Sequence, residues 1–331
     1  MRQAGLALGL LVGVALATGC RSLSDRVTFV GPMVLAGQEV SAAVLNEGRE
    51  HYVQNCYACH GMAGDGKGPA SHYYRPPPRD LTRGLYKFGG VVDGLPHDED
   101  FVRVLKHGLA GTPMLAWDIP DAELYPIIQY VKSLSSVWRE AEELGEQIPV
   151  DTDSWQGKER DAIARGKQVY HGLATCQQCH PAYATRQEML EASKAAGRAI
   201  TEFRSEPFQS ETKESQYEAD GQRMRIMPPD FLFNEVRSGH DVKDLYRIIS
   251  AGIPGTAMPT WYGALSAPDV WAMAYYVQSL IEMRGTPEAS ALRRALATAP
   301  EVVPTSAALD TARPPQPGSA GASPAAAPMV R

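Results

Sequence analysis

Cys56-Tyr57-Ala58-Cys59-His60 and Cys176-Gln177-Gln178-Cys179-His180 are two copies of one pattern, C-x-x-C-H. The chain has five cysteines in 331 residues, and four of them lie in these two copies. The fifth, Cys20, follows an apolar stretch at the N-terminus. The two C-x-x-C-H copies are therefore the main evidence for the chemistry of residues 21–331.

The C-x-x-C-H spacing is typical of covalent attachment of c-type heme. Each thiol can add to one vinyl group of the porphyrin, and the adjoining histidine becomes the proximal ligand of the iron. A single copy would also fit a zinc half-site or a redox-active dithiol. Structural zinc, however, needs four converging ligands, usually at short spacings, which two distant copies provide poorly. The predicted attachment residues of two hemes are Cys56, Cys59, Cys176 and Cys179, and the predicted proximal ligands are His60 and His180.

Residues 1–19 have the order of an export signal: Arg2, then an apolar run, then small residues. Small residues directly before Cys20 make the segment resemble a bacterial lipoprotein signal, with Cys20 acylated as the mature N-terminus. Ordinary secretion with an unmodified Cys20 is the alternative. The apolar run is short for a spanning helix, which needs about 20 residues. The sequence predicts an exported, periplasmic protein anchored by lipid, without distinguishing the inner from the outer membrane.

The formal net charge of −6 argues against nucleic acid as a partner. No basic patch stands out along the chain, and heme propionates would make the mature protein more acidic still. An acidic face favours a basic redox protein as donor or acceptor.

An internal repeat surrounds the two copies and indicates two units. Each unit has a glycine followed four residues later by tyrosine, then C-x-x-C-H, a proline-rich element, a G-T-x-M loop and a helix with an aromatic residue. The repeated pieces are Gly48–Tyr52 and Gly166–Tyr170, Pro76–Asp80 and Pro228–Asp230, Gly108–Trp117 and Gly252–Trp261, and Tyr130–Leu134 and Tyr276–Leu280.

This order of motifs resembles class I cytochrome c over residues 38–140 and 159–284. The resemblance implies an all-α fold of two tandem domains, each wrapped around one covalently attached heme. It also implies that Met114 and Met258, in the G-T-x-M loops, are the sixth ligands of the irons. Met224 and Met227 are weaker rivals to Met258.

The family further implies that a small glycine lets the first and last helices of each domain cross closely, a role that falls to Gly48 and Gly166. The glycine-rich loop after His60 resembles the family loop in which a proline carbonyl accepts the Nδ1 hydrogen of the proximal histidine. Pro69 is the predicted acceptor. The second unit lacks this loop, so its acceptor is left open. Candidates for contact with heme propionates are Arg75, Arg79, Arg83 and Trp117, although solvated surface is the more usual role of the arginines.

Local patterns add further expectations. Residues 98–107 read as a helix with acidic residues in its first turn and Gly108 past its end. Ser266 is typical of the residue that caps a helix N-terminus. The predicted boundaries are 1–19 signal peptide, 20–37 tether, 38–140 first domain, 141–158 acidic linker, 159–284 second domain with an insertion at 182–223 that includes a helix over 187–200, and 285–331 disordered tail.

The functional prediction is an electron carrier rather than an enzyme. Each iron would cycle between ferric and ferrous states with His/Met ligation, which raises the reduction potential. Partners would be a redox donor and acceptor, including subunits of a membrane respiratory complex. A diheme peroxidase is the competing class, because it also carries two C-x-x-C-H motifs but needs one iron with an open position. An electron-transfer subunit of a larger oxidoreductase is a further alternative.

Overall fold

Helices dominate this computed structural model, which describes residues 28–142, 144–150, 152–219 and 222–304. The helices are α1 Ala42–Asn55, α2 Tyr57–His60, α3 Asp98–His107, α4 Asp121–Ser133, α5 Ser136–Glu140, α6 Glu159–Gln168, α7 Arg186–Ala195, α8 Val242–Ala251, α9 Ala267–Glu282 and α10 Pro287–Thr298. A π-helical turn over Val169–Leu173 extends α6.

Short strands also occur, so the all-α prediction is only partly right. Three two-stranded antiparallel sheets are formed within the described residues. The strands are β1 Met33–Leu35, β2 Gln38–Val40, β3 Val91–Val92, β4 Glu146–Gln147, β5 Lys213–Ala219 and β6 Gln222–Ile226, paired in chain order. The longest, β5–β6, lies at the end of the segment that the sequence marks as an insertion.

Helices α1 and α4 cross at Gly48, as the sequence predicts. A Cβ atom on Gly48 would lie 1.9 Å from the carbonyl oxygen of Pro126 and 3.0 Å from the Cβ atom of Tyr130. Only glycine fits such a contact. The crossing also brings the rings of Tyr52 and Tyr130 to a centroid distance of 5.0 Å, and Tyr52 is fully buried.

The same arrangement recurs where α6 crosses α9. A Cβ atom on Gly166 would lie 2.0 Å from the carbonyl oxygen of Ala272 and 2.6 Å from the Cβ atom of Tyr276. The rings of Tyr170 and Tyr276 pack edge to face at 5.6 Å. The repeat seen in the sequence is therefore a repeat of helix packing.

The segment before α1 belongs to the fold over its described part. The β1–β2 hairpin packs on Trp138, which is fully buried, and the amide of Ala36 donates to the Trp138 carbonyl at 2.7 Å. The prediction of a tether over 20–37 is therefore wrong for residues 28–37. Cys20 and the signal at 1–19 lie outside the described residues and remain predictions.

The C-terminal tail also departs from the sequence prediction. Disorder is predicted from residue 285, but Pro287–Thr298 forms helix α10, with Thr286 as its N-cap and Pro287 in its first turn. Ala289 is buried against the core around α9, and Arg293 pairs with Asp230 at 2.5 Å. The helix is stabilised by tertiary contacts that composition does not reveal.

Local signals predict three other helices correctly. Helix α3 spans Asp98–His107 as expected, and the Ser266 side chain accepts from the amide of Asp269 at the start of α9. Helix α7 forms within the predicted 187–200 region, although it begins at Arg186 and ends at Ala195. No helix within the described ranges is both long enough and apolar enough to cross a bilayer.

Candidate functional site

The first C-x-x-C-H motif lies on one helical turn directly after α1. The Cys56 amide donates to the Tyr52 carbonyl at 2.8 Å, and the His60 amide donates to the Cys56 carbonyl at 2.9 Å. Residues three and four apart on a helix share a face. Cys56, Cys59 and His60 therefore line the same cavity, and neither cysteine forms a disulfide.

The second motif repeats this turn with a tighter start. Thr175 has a left-handed backbone, with φ of +53°, and turns the chain into the 3₁₀ helix Cys176–Gln178. The His180 amide donates to the Cys176 carbonyl at 3.0 Å. This bond matches the one between His60 and Cys56, so both motifs present two thiols and an imidazole in the same order.

Both histidine rings are oriented by a backbone carbonyl. Nδ1 of His60 lies 3.0 Å from the carbonyl oxygen of Arg79, and Nδ1 of His180 lies 3.0 Å from that of Pro229. A carbonyl can only accept, so Nδ1 carries the hydrogen and the Nε2 lone pair is free for a metal. Burial lowers the pKa of both histidines, which favours this neutral form.

The prediction that Pro69 orients His60 is wrong. The amides of Gly68 and Ala70 donate to the carbonyls of Cys59 and Ala58, so this loop lies along the backbone of the motif instead. The ring of His60 is reached by the proline-rich element, Pro76–Asp80. The second unit uses the corresponding position of its own proline-rich element, which answers the question that the sequence leaves open.

The position of this carbonyl acceptor is marked in the sequence by a repeated P-x-D pattern. Arg79 and Pro229 each stand between a proline and an aspartate, in Pro78-Arg79-Asp80 and Pro228-Pro229-Asp230. Asp80 accepts from the amide of Thr82 at 2.9 Å, and Asp230 accepts from that of Leu232 at 3.1 Å. These turns hold the preceding carbonyl in place. Because a backbone carbonyl has no side-chain signature, only the repetition of P-x-D could have indicated it.

The tyrosine that recurs in each unit hydrogen-bonds to the backbone of the residue that follows the histidine. The Tyr52 hydroxyl donates to the Gly61 carbonyl at 2.7 Å, and the Tyr170 hydroxyl donates to the Pro181 carbonyl at 2.9 Å. Burial raises the pKa of both phenols, so they stay protonated and donate. Each motif is therefore tied to the helix before it.

The two G-T-x-M loops have the same internal hydrogen bonds. In the first, the Thr112 hydroxyl donates to the Leu109 carbonyl at 2.8 Å and accepts from the Met114 amide at 3.1 Å. In the second, the Thr256 hydroxyl donates to the Ile253 carbonyl at 2.8 Å and accepts from the Met258 amide at 3.1 Å. Each methionine is thus positioned by a threonine two residues earlier.

We expect Thr256→Val to loosen the second loop while keeping the side-chain shape. Each hydrogen bond lost weakens the loop by about 1 kcal/mol, or roughly fivefold in an opening equilibrium. The measurement is amide hydrogen exchange across Ile253–Met258, which should quicken at Met258. Thr256→Ser retains the hydroxyl and should restore slow exchange; equal exchange in the valine and serine variants would contradict the role of the bond.

One cavity of about 1800 Å³ joins the two motifs. This volume exceeds the 300–1,000 Å³ of an ordinary small-molecule pocket, and it suits more than one large ligand. Its walls contain every predicted attachment residue and axial ligand from both halves of the chain: Cys56, Cys59, His60, Met114, Cys176, Cys179, His180 and Met258.

These walls fit a thioether-linked heme. Burial raises the pKa of Cys56 and of Cys176 to about 12, so both sulfurs are neutral and suit the apolar edge of a porphyrin. The imidazoles supply a neutral nitrogen, and the methionines supply a soft sulfur. Phe231 stacks on His180 with ring centroids 5.0 Å apart and shields that imidazole from water.

Residues 43–131 match the family model described as cytochrome c oxidase, cbb3-type, subunit III. This segment is a cytochrome c domain. Such a domain implies heme c and supports electron transfer through heme. The match includes the first motif and the Met114 loop, and it runs from α1 almost to the end of α4.

A solved structure extends the similarity beyond this domain. The chain is similar to a chain from the reducing HAO-like protein complex of Kuenenia stuttgartiensis, with 27% identity and a TM-score of 0.56. The alignment covers 71% of the present chain and 96% of the other. Because 71% of the chain is more than either half alone contains, the alignment includes residues from both halves. A search of curated protein sequences gave no significant match.

Proposed function

We propose that the protein is a diheme electron carrier made of two tandem cytochrome c-like units. In the first, Cys56 and Cys59 attach the heme, and His60 and Met114 are the axial ligands. In the second, the same roles fall to Cys176, Cys179, His180 and Met258. The observation that carries the proposal is the duplicated set of contacts around one cavity: carbonyl to histidine, tyrosine to motif, and threonine to methionine.

Duplication of the methionine loop favours a carrier over an enzyme. A peroxidase needs an iron with an open or displaceable position, whereas both halves here hold a methionine by the same threonine bonds. A thioether ligand favours ferrous iron and raises the potential, which suits electron transfer. Both sites would then serve electron transfer.

The shared cavity supports electron exchange between the two hemes within the chain. Because Met114 and Met258 line one continuous space, electrons entering at one unit would have a short route to the other. The structural neighbour belongs to a protein complex by its title. We accordingly propose redox proteins as donor and acceptor, and a place as a subunit of a larger respiratory assembly as an alternative to a free carrier.

We also propose that the protein is exported from the cytoplasm. Heme attachment to C-x-x-C-H and the lipoprotein-like segment ending at Cys20 point to the same compartment, the periplasm, with acyl chains on Cys20 as the membrane anchor.

Counting hemes tests this function directly. We expect two hemes per wild-type chain, one in Cys56→Ser/Cys59→Ser and one in Cys176→Ser/Cys179→Ser. The measurement is the pyridine hemochrome absorbance per chain, together with the intact mass. One heme in the wild-type protein would contradict the diheme arrangement.

Carbon monoxide then separates a carrier from a peroxidase. The reduced wild-type spectrum should not change on adding the gas, because both irons would hold two protein ligands. Ready binding at one heme would instead favour the peroxidase alternative.

A further inference from the structure

Three cationic side chains line the cavity where the two halves of the chain meet. Arg79 and Lys87 come from the N-terminal half, and Arg237 comes from the C-terminal half. Two of them contact the ring of Tyr217 on β5: Arg79 Cζ lies 3.8 Å and Lys87 Nζ lies 4.5 Å from its centroid. We call Arg79, Lys87 and Arg237 the cationic trio.

The trio has no carboxylate within 4.0 Å among the residues that the structure describes. Arg83, which lines the same cavity, pairs instead with Glu218 at 3.4 Å. Burial and the charges of Arg79 and Arg237 lower the pKa of Lys87 to about 7. Burial also lowers the pKa of Arg79, with a further contribution from Arg237. Arg79 and Lys87 are half-buried and Arg237 is exposed; cations that lose part of their hydration and have no carboxylate within reach favour binding of an anion.

The trio is adjacent to both proposed heme sites. The Arg79 carbonyl is the acceptor for His60. The ring of Tyr217 contacts two of the cations, and its hydroxyl donates to the Pro254 carbonyl at 2.5 Å. The neighbouring Gln216 amide donates to the Gly255 carbonyl at 2.8 Å. Tyr217 of the β5–β6 hairpin therefore places Arg79 and Lys87 between the first histidine and the loop of Met258, and Arg237 lines the same cavity.

We propose that the cationic trio binds heme propionates at the junction of the two halves, and so couples the electrostatics of both hemes. The inference rests on the proposed function, since the propionates arrive with the covalently bound hemes. Carboxylates of a ligand in the same cavity fit better than a free anion, because the trio lines the wall that also contains all four attachment cysteines. Arg79 then has two roles: its carbonyl orients His60, and its guanidinium binds a propionate.

The test compares Arg79→Gln, Lys87→Gln and Arg237→Gln with Arg160→Gln. Arg160 is an exposed residue of α6 outside the cavity wall, so its variant makes the same charge change elsewhere. Loss of a cation leaves a propionate uncompensated, which favours ferric iron. We expect each trio variant to lower the midpoint potential of at least one heme more than Arg160→Gln does. Arg237 is exposed, so Arg237→Gln should fold even if the changes at the half-buried Arg79 and Lys87 do not.

A second measurement identifies the anion. The propionate bending bands in the resonance Raman spectrum should shift in the trio variants and not in Arg160→Gln. Two hemes per chain with unshifted bands and wild-type potentials would overturn the inference alone. A wild-type potential that follows phosphate concentration, and ceases to do so in the trio variants, would overturn it in favour of a free anion. A chain without heme would contradict the proposed function itself.

Discussion

Replacing Met258 with alanine should lower the midpoint potential of one heme and open its iron to carbon monoxide; Met114→Ala should do the same to the other. Axial-ligand identity sets heme potentials over about 0.8 V, and we expect the loss of one thioether to lower the potential by on the order of 0.2 V. The loop would keep its shape, because Thr256 holds the backbone amide of residue 258 rather than its side chain. Redox titration followed by carbon monoxide binding to the reduced protein measures both effects.

Met224→Ala is the matched control for this experiment. Met224 also lines the cavity, but it lies on β6 and has no counterpart in the first half of the chain. Its removal should leave both potentials near their wild-type values. A potential that falls in Met224→Ala and stays unchanged in Met258→Ala would transfer the ligand role to Met224.

Replacing Gly166 with alanine should destabilise the protein by about 1–3 kcal/mol, and Gly48→Ala should act similarly. Alanine is the better helix former by about 1 kcal/mol, so propensity alone predicts a gain. The new Cβ atom would, however, meet the Ala272 carbonyl oxygen at 2.0 Å. Backbone cannot rotate away as a side chain can, so α6 and α9 would have to separate, and overpacking of this kind outweighs the gain. Denaturant unfolding of the heme-loaded protein measures the difference.

Gly31→Ala provides the control for the glycine variants. A Cβ atom at Gly31 would meet nothing within 4 Å, and we expect unfolding at the wild-type denaturant concentration. Unchanged stability of Gly166→Ala would show that the helix crossing can relax and that glycine is not needed there.

Local chemistry explains which parts of the fold the sequence could predict. The boundaries of α3 follow from its acidic first turn and from Gly108, and the start of α9 follows from Ser266; both signals act within a few residues. The glycine crossings follow from the resemblance to class I cytochrome c, which assigns each repeated glycine a tyrosine partner on the last helix of its domain.

Features that depend on distant contacts were missed. Strand β5 reads Lys-Glu-Ser-Gln-Tyr-Glu-Ala and has no strong apolar alternation; its stability comes from Tyr217, which is 4% exposed and contacts residues far along the chain. Helix α10 was obscured by the Ala/Pro-rich composition around it. At the candidate site, side chains with metal-binding chemistry were predictable, whereas the carbonyl acceptors of the histidines were not.

The P-x-D turns make the histidine contacts insensitive to mutation at the position that supplies them. Any residue has a carbonyl, so arginine at 79 and proline at 229 serve His60 and His180 equally well. Sequence drift at these positions therefore leaves the geometry of the imidazole intact while changing the charge beside it. The charge beside each histidine could therefore change in one half of the chain and not in the other. Each such substitution would leave the orientation of the histidine unchanged.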